Sequence, residues 1–271
     1  MSQWTDTVRL DASRVNLNGD LRGARNSTML SILGNPRGSY SQDCQEPTNQ
    51  RVAGLLVSED VGPFRVRGLR PAVAALRAIF ADVKAADRDI HDRLGTAGML
   101  CCRFVRGSTS AISNHSWGCA IDLTIDRVLD RRGDDRAQMG LLQIHKHFNR
   151  HKFFWGAAFP TEDAMHFEAS DQLVREWQAS GQLGAGAGAP PSVADSLLEF
   201  GDRGAEVMAL QQMLSKALGI ALTADGVFGA QTRAAVVDFQ SRHGLSADGV
   251  VGPKTMAVLR GDVPGLGQKA A

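Results

Sequence analysis

The sequence lacks an excess of charge of either sign. Thirty Lys and Arg stand against 29 Asp and Glu, a net charge of +1. Without a basic balance there is no electrostatic footprint for a nucleic acid as main partner. Long apolar runs are also missing. None approaches the ~18 residues of a membrane span, so none is expected to cross a bilayer. The first residues, Met1 to Asp6, lack the basic start and apolar block of a secretory leader. A substrate outside the cytoplasm would then need another delivery route. The four cysteines, Cys44, Cys101, Cys102 and Cys119, include no C-x-x-C pair, which argues against a cysteine zinc cluster. They read as small buried residues in a reducing compartment, with a Cys44 link to Cys101 or Cys102 as the alternative.

What is present suits a soluble globular chain with room for two domains. The length is 271 residues, with 43% apolar and 22% charged. Residues 1 to about 70 read as loops and short strands, with one short helix near Thr28 to Leu33. Pro71 suits a first helical turn. Val73, Leu76, Phe80 and Val83 follow at helical spacing. Gly95 to Gly98 break the pattern, and Met99 to Val105 reads as a strand. From Cys119 to Ile125 apolar and polar residues alternate, which puts Asp122 on the face opposite Ile121 and Leu123. Residues 126–136 read as a charged, solvated loop. Its Asp126, Asp130, Asp134 and Asp135 miss the spacing of a calcium loop. A helix is expected over Ala137 to Asn149, and another over Asp171 to Trp177. A strand at Met165 to Glu168 would place His166 and Glu168 on one face, and pairing it with the Asp122 strand would bring Asp122 and His166 together. A Gly/Ala/Pro stretch marks a linker. The expected domains are residues 1–180, a linker over 181–193, a small domain over 194–262 and a tail over 263–271. The small domain carries an internal repeat: the stretch from Ala224 to Thr232 matches that from Ala247 to Thr255, 23 residues later. Each copy has an Asp-Gly turn and a second Gly before a helix start, so three short helices are expected.

The chemistry concentrates in two stretches, Ser113 to Asp122 and Glu162 to Glu168. A hydrolytic zinc site needs three protein ligands and an open position. His115, Asp122 and His166 offer two nitrogens and one oxygen. Asp163 stands three residues before His166 and is the candidate base, with Glu162 as its rival. An oxyanion needs a positive partner, for which Arg103 and Arg106 are the candidates, Arg103 being preferred. Ser113 is a candidate to bind substrate or position a ligand. Trp117 and Trp155 are read as core or cleft wall, and are the aromatic candidates for substrate contact. His147 and His151 have the i, i+4 spacing of a metal pair, and with His145 they form a rival cluster. They sit among Lys146, Arg150 and Lys152, which would repel a cation, so this stretch reads as a solvated helix end.

Ser113-x-His115-x-x-Gly118-x-Ala120-x-Asp122, followed by Asp163-x-x-His166, resembles the zinc peptidases of the D-alanyl-D-alanine carboxypeptidase and L-alanyl-D-glutamate endopeptidase family. The resemblance implies an α+β domain whose antiparallel sheet, flanked by helices, carries one Zn2+. It implies His115, Asp122 and His166 as metal ligands and Asp163 as general base. The family arginine sits in a Gly-Tyr-Arg context; here the sequence is Cys102-Arg103-Phe104-Val105-Arg106, and both arginines stay open. Leu210-Gln211-x-x-Leu214, Asp225-Gly226-x-Phe228-Gly229-x-x-Thr232, Phe239-Gln240 and Asp248-Gly249-x-x-Gly252 resemble the small all-α three-helix peptidoglycan-binding module. Together the two resemblances imply a monomeric wall hydrolase of the phage endolysin type, most simply an L-alanyl-D-glutamate endopeptidase. The alternatives are a D-alanyl-D-alanine carboxypeptidase, a cross-link D,D-endopeptidase, or a non-enzymatic wall-binding protein with a structural metal. The expected route is synthesis in the host cytoplasm and holin-type release to the bacterial peptidoglycan.

Overall fold

The computed structural model describes residues 3–10, 14, 16–184, 198–202 and 205–261. Most of the expected linker over 181–193, and the expected tail over 263–271, lie outside these residues. The chain divides into two compact units, Met1–Ala187 and Gly188–Ala271.

The first unit is α+β. In chain order it contains β1 (Thr7–Arg9), α1 (Asn26–Leu33), α2 (Gln50–Leu55), β2 (Leu56–Asp60), β3 (Arg65–Leu69), α3 (Arg70–Ala86), α4 (Arg88–Arg93), β4 (Leu94–Gly98), β5 (Ala120–Ile125), β6 (Val128–Leu129), β7 (Arg136–Gln138), α5 (Met139–Arg150), β8 (Phe153–Trp155), β9 (His166–Ala169) and α6 (Asp171–Ala179). The main sheet runs β4-β5-β9-β8, with β6 on β5, and its pairings are antiparallel. Helix α3 forms where expected. Pro71 lies in its first turn, and Val73, Leu76, Ile79, Phe80 and Val83 bury one stripe. The helix packs with β5's buried Ile121, Leu123 and Ile125 in one apolar core, the main driving force for this unit. Polar caps start the neighbouring helices: Asp87 accepts from the Ile90 N–H of α4 and Ser170 from the Leu173 N–H of α6, both at 3.2 Å.

Two expectations are corrected here. The strand read at Met99 to Val105 lies earlier, at Leu94–Gly98, and Cys102 and Phe104 form only isolated bridges. The glycines that looked like breakers admit close pairing, since a Cβ on Gly95 would sit 2.6 Å from Thr124 Oγ1. The N-terminal seventy residues also hold more regular structure than expected, in α2 and the β2–β3 hairpin. The cysteine reading changes as well. Cys44 and Cys101 are joined in a disulfide, while Cys102 and Cys119 are free and buried.

The second unit holds α7 (Ala205–Leu218), α8 (Ala230–Arg242) and α9 (Pro253–Arg260). Its own core gathers Leu210, Leu214, Phe228, Val236, Phe239 and Val251. The internal repeat has a structural cause. The side-chain nitrogen of buried Gln211 lies within hydrogen-bond distance of Asp225 Oδ1, Val227 O and Thr232 Oγ1, and its oxygen accepts from the Gly226 N–H. Gln240 repeats this arrangement with Asp248, Val250, Thr255 and Gly249. Each glutamine closes the Asp-Gly turn that follows its helix.

Candidate metal centre

Three features bring the centre together. The first is the register of β5 on β9, in which Asp122 lies opposite His166 and Ala120 opposite Glu168. With Ile121 turned into the core, Asp122 must face the other side. The second is the 3-10 turn Asn114–Trp117, which ends at Gly118 with φ 67°. A Cβ there would lie 2.9 Å from Gly68 Cα and Leu69 N, so only glycine allows the approach that seats His115. The third is the turn from Asp163 to His166, closed by the His166 N–H donating to Asp163 O at 3.1 Å. Gly156 makes room for it, since a Cβ there would sit 2.7 Å from Asp163 O.

His115 Nε2, Asp122 Oδ1 and His166 Nδ1 form a nearly equilateral triangle with sides of 3.2, 3.2 and 3.1 Å. Ligands about 2.0 Å from a tetrahedral ion stand ~3.3 Å apart, so the triangle fits one ion. The two histidine side chains are 4% and 9% exposed and that of Asp122 is 23% exposed, which leaves the centre open on the carboxylate side. The far nitrogen of each imidazole is anchored. His115 Nδ1 lies 3.0 Å from Met99 O, and His166 Nε2 lies 2.9 Å from Glu168 Oε2. Such anchors fix ring orientation and tautomer, so that the inner nitrogens keep lone pairs for a cation. Glu168 is itself held by the Ala24 N–H at 3.0 Å and by Asn114 Nδ2 at 2.9 Å. Burial opposes charge on Asp122, but the two histidines outweigh it and hold its carboxyl well below the usual range. Burial likewise opposes charge on His166. Hydrogen bonds to Asp122 and Glu168 win, and in the metal-free cluster the imidazole is pushed up to about 10.

Asp163 sits beside this cluster. Its Oδ2 pairs with Arg132 Nε at 3.2 Å, whereas its Oδ1 is buried without a hydrogen-bond partner. Burial raises its pKa against the pull of His166 and Arg132. The rival base Glu162 is committed elsewhere, accepting from the backbone N–H groups of Gly133, Asp134 and Ala164. Half-buried Arg103 has Asp122 and Asp163 among the charges acting on it, while burial and then Arg106 press its pKa down. Arg106 is exposed and donates to Gln42 O at 3.1 Å, while Arg103 Nη1 donates to Phe104 O at 2.9 Å. Trp117 and Trp155 are fully buried, their indole N–H groups donating to Gly34 O and Ala164 O. They are core, and the expectation of substrate contact is corrected for both. Ser113 is buried, and its N–H donates to Arg103 O at 3.0 Å, so it ties the arginine's backbone to the His115 turn. The rival histidines disperse: His151 binds Asp82, His147 meets Arg150 and His145 stacks on Trp155. The aspartates of residues 126–135 also take separate partners, Asp126 with Arg93, Asp130 with the Gln138 N–H and Asp135 with Arg14. Sequence reasoning missed Arg132 and the part played by Glu168. The first had no signal in its loop; the second was legible, two residues after His166 on the same strand face.

Residues 106–169 match the family model of D-alanyl-D-alanine carboxypeptidase, and residues 203–259 match that of the putative peptidoglycan binding domain. Both resemblances are borne out. The triad and Asp163 all fall within the peptidase-family segment, and both Asp-Gly turns fall within the wall-binding one. The chain is 44% identical over 69 residues to an uncharacterized protein in the bpoA1 3' region of Kitasatospora aureofaciens, covering 25% of this chain and 58% of that protein. Among solved structures it is similar to a Burkholderia AP3 phage endolysin, with 48% identity, 25% of each chain covered and a TM-score of 0.24. It is also similar to a fused Zn-dependent amidase/peptidase/peptidoglycan-binding protein from Clostridium acetobutylicum. There the identity is 40%, the cover 24% of this chain and 29% of that one, and the TM-score 0.23. The chain thus spans less than two thirds of each of these relatives. Among the described residues no helix is long and apolar enough to cross a membrane.

Proposed function

We propose that this chain is a zinc-dependent peptidase that cleaves an amide bond in the stem peptide of bacterial peptidoglycan. The observation that carries the reading is the ligand triangle with the unpartnered Asp163 oxygen beside it. His115, Asp122 and His166 would hold one Zn2+, which when bound would supply Lewis acidity toward the scissile carbonyl and its attacking water. Three protein ligands leave a position open for chemistry, whereas a structural site closes with a fourth. Asp163 takes the proton of the attacking water at Oδ1 and returns it to the leaving amine nitrogen. Arg103 offers positive charge to the developing oxyanion. Arg132 holds the other oxygen of Asp163 and aims the free one. Glu168 and the Met99 carbonyl keep the two imidazoles aligned.

The wall-binding segment supports peptidoglycan as the partner, and tethering there raises the local concentration of the enzyme on a polymeric substrate. An anchored enzyme suits an internal bond, so the reading favours an L-alanyl-D-glutamate endopeptidase acting as a monomeric endolysin after holin-type release. The description of the peptidase family favours a second reading, a D-alanyl-D-alanine carboxypeptidase. Incubation with purified sacculi followed by mass spectrometry of the products separates them. An endopeptidase frees stem peptides at the L-alanyl bond, and a carboxypeptidase releases D-alanine alone. A protein that binds sacculi yet releases no new amino groups, with or without added zinc, would overturn both.

A further inference from the structure

We infer that the wall-binding unit holds its ligand in a groove between Phe200 and helix α8, where Arg233 pairs with a stem-peptide carboxylate and Phe200 covers the adjoining apolar face. This deepens the reading above and rests on peptidoglycan being the partner. The groove is open, about 500 Å³, and lined by Phe200 and, from α8, by Ala230, Arg233, Ala234, Val237, Asp238 and Ser241.

Three observations point to a ligand. Phe200 is 61% exposed, yet its segment is fixed on both sides. The Leu198 N–H donates to Val251 O, the Gly201 N–H to Phe228 O, and the Phe228 N–H to Asp202 O. An aromatic side chain on an anchored backbone has only two torsions to lose when a partner covers it. Arg233 supplies the charge. Its stem lies against Gly249, where a Cβ would come within 2.9 Å of Arg233 Cγ and 3.0 Å of Nε. That second Asp-Gly turn therefore seats the side chain, while the guanidinium makes no ion pair or hydrogen bond among the described residues. Asp238 pairs with Arg242 one turn along, which leaves Arg233 as the charged lining side chain without an ion pair among the described residues. Ala230 and Ala234, one helical turn apart, add small apolar side chains to the lining. A planar fork beside an exposed ring suits a ligand with a carboxylate next to small apolar groups. Stem peptides present that chemistry, alternating free carboxylates with alanine methyls.

The test uses the full-length chain carrying Asp163→Asn, so that the probe is not consumed. Binding is measured by sedimentation with purified sacculi and by calorimetric titration with a soluble disaccharide-tetrapeptide. Arg233→Gln and Phe200→Ala are each expected to weaken both by about tenfold or more, with Arg233→Lys between. Arg260→Gln, outside the groove, should bind as the parent does. Amidating the carboxylates of the probe should weaken its binding to the unaltered groove by a similar factor, a result that does not depend on how any variant folds. Parent-like binding by both groove variants and by the amidated probe would overturn the groove while leaving the wall as partner. Failure of the parent to bind sacculi would overturn the wall reading as well. A drop in solution mass on Phe200→Ala would show that the groove pairs two copies of this chain, and would also overturn the inference.

Discussion

Asp163, the proposed base, is set apart at the residue scale by its surroundings. Burial destabilises its anion, while Arg132 and the cluster's histidines partly offset that cost. A base works only when ionised, so kcat/KM should fall as pH drops through the Asp163 pKa. Arg132→Gln removes a stabilising cation, and the acidic limb of the pH profile should then move to still higher pH; an unmoved limb would show that Arg132 does not govern the base. Asp163→Asn should lower kcat/KM by about 10²–10⁴-fold while zinc content, read by atomic emission, stays at one ion per chain. Glu168 acts differently, through His166. Glu168→Ala deprives the imidazole Nε2 of its 2.9 Å partner and frees the ring to turn. Metal affinity measured by chelator competition should drop about 10–100-fold. Unchanged affinity would reduce Glu168 to a tie between β9 and the Ala24 loop.

At the scale of elements, the sheet register and two tight turns convert distant residues into one site. Gly118 combines a positive φ with backbone 2.9 Å from where its Cβ would lie. Gly118→Ala should therefore destabilise the first unit by about 2 kcal/mol or more, read as a lowered melting temperature, and should loosen zinc because His115 rides on the same turn. Gln211→Ala should cost the second unit about 1–3 kcal/mol by leaving the buried Gly226 N–H and its neighbours unsatisfied. The sequence carried much of this. Alternation around Asp122 and His166 announced both the strands and the face they share, because a period of two leaves a polar residue nowhere else to point. Helix α3 was legible for the same kind of reason at a period of 3.6. Strand β4 was not, since glycine's tolerance of close pairing has no apolar signature. Nor was the burial of Trp117 and Trp155, because an indole in a motif looks alike whether it faces the cleft or the core. Arg132 escaped because its approach to Asp163 depends on how the loop between β6 and β7 folds back.

For the whole molecule, the decisive point is that each unit has its own apolar core, while the three proposed metal ligands belong to the first alone. His115, Asp122 and His166 span 51 residues of sequence and join the 3-10 turn to two strands. An ion that binds the folded arrangement and not the unfolded chain stabilises it by mass action, about 4 kcal/mol at a thousandfold excess over Kd. Zinc removal should therefore lower the thermal transition of the first unit and leave that of the second in place. Scanning calorimetry of the full chain, with and without a zinc-specific chelator, reads both at once. Ligation also requires neutral His166, whose imidazole is pushed up to about 10 in the metal-free cluster. Binding must then displace a proton, so the zinc-dependent shift should shrink as pH is lowered. A chelator that moved both transitions equally would place the ion outside the triad. One that moved neither, at a pH where zinc is bound, would remove the metal from the fold's stability and leave it a role in chemistry alone.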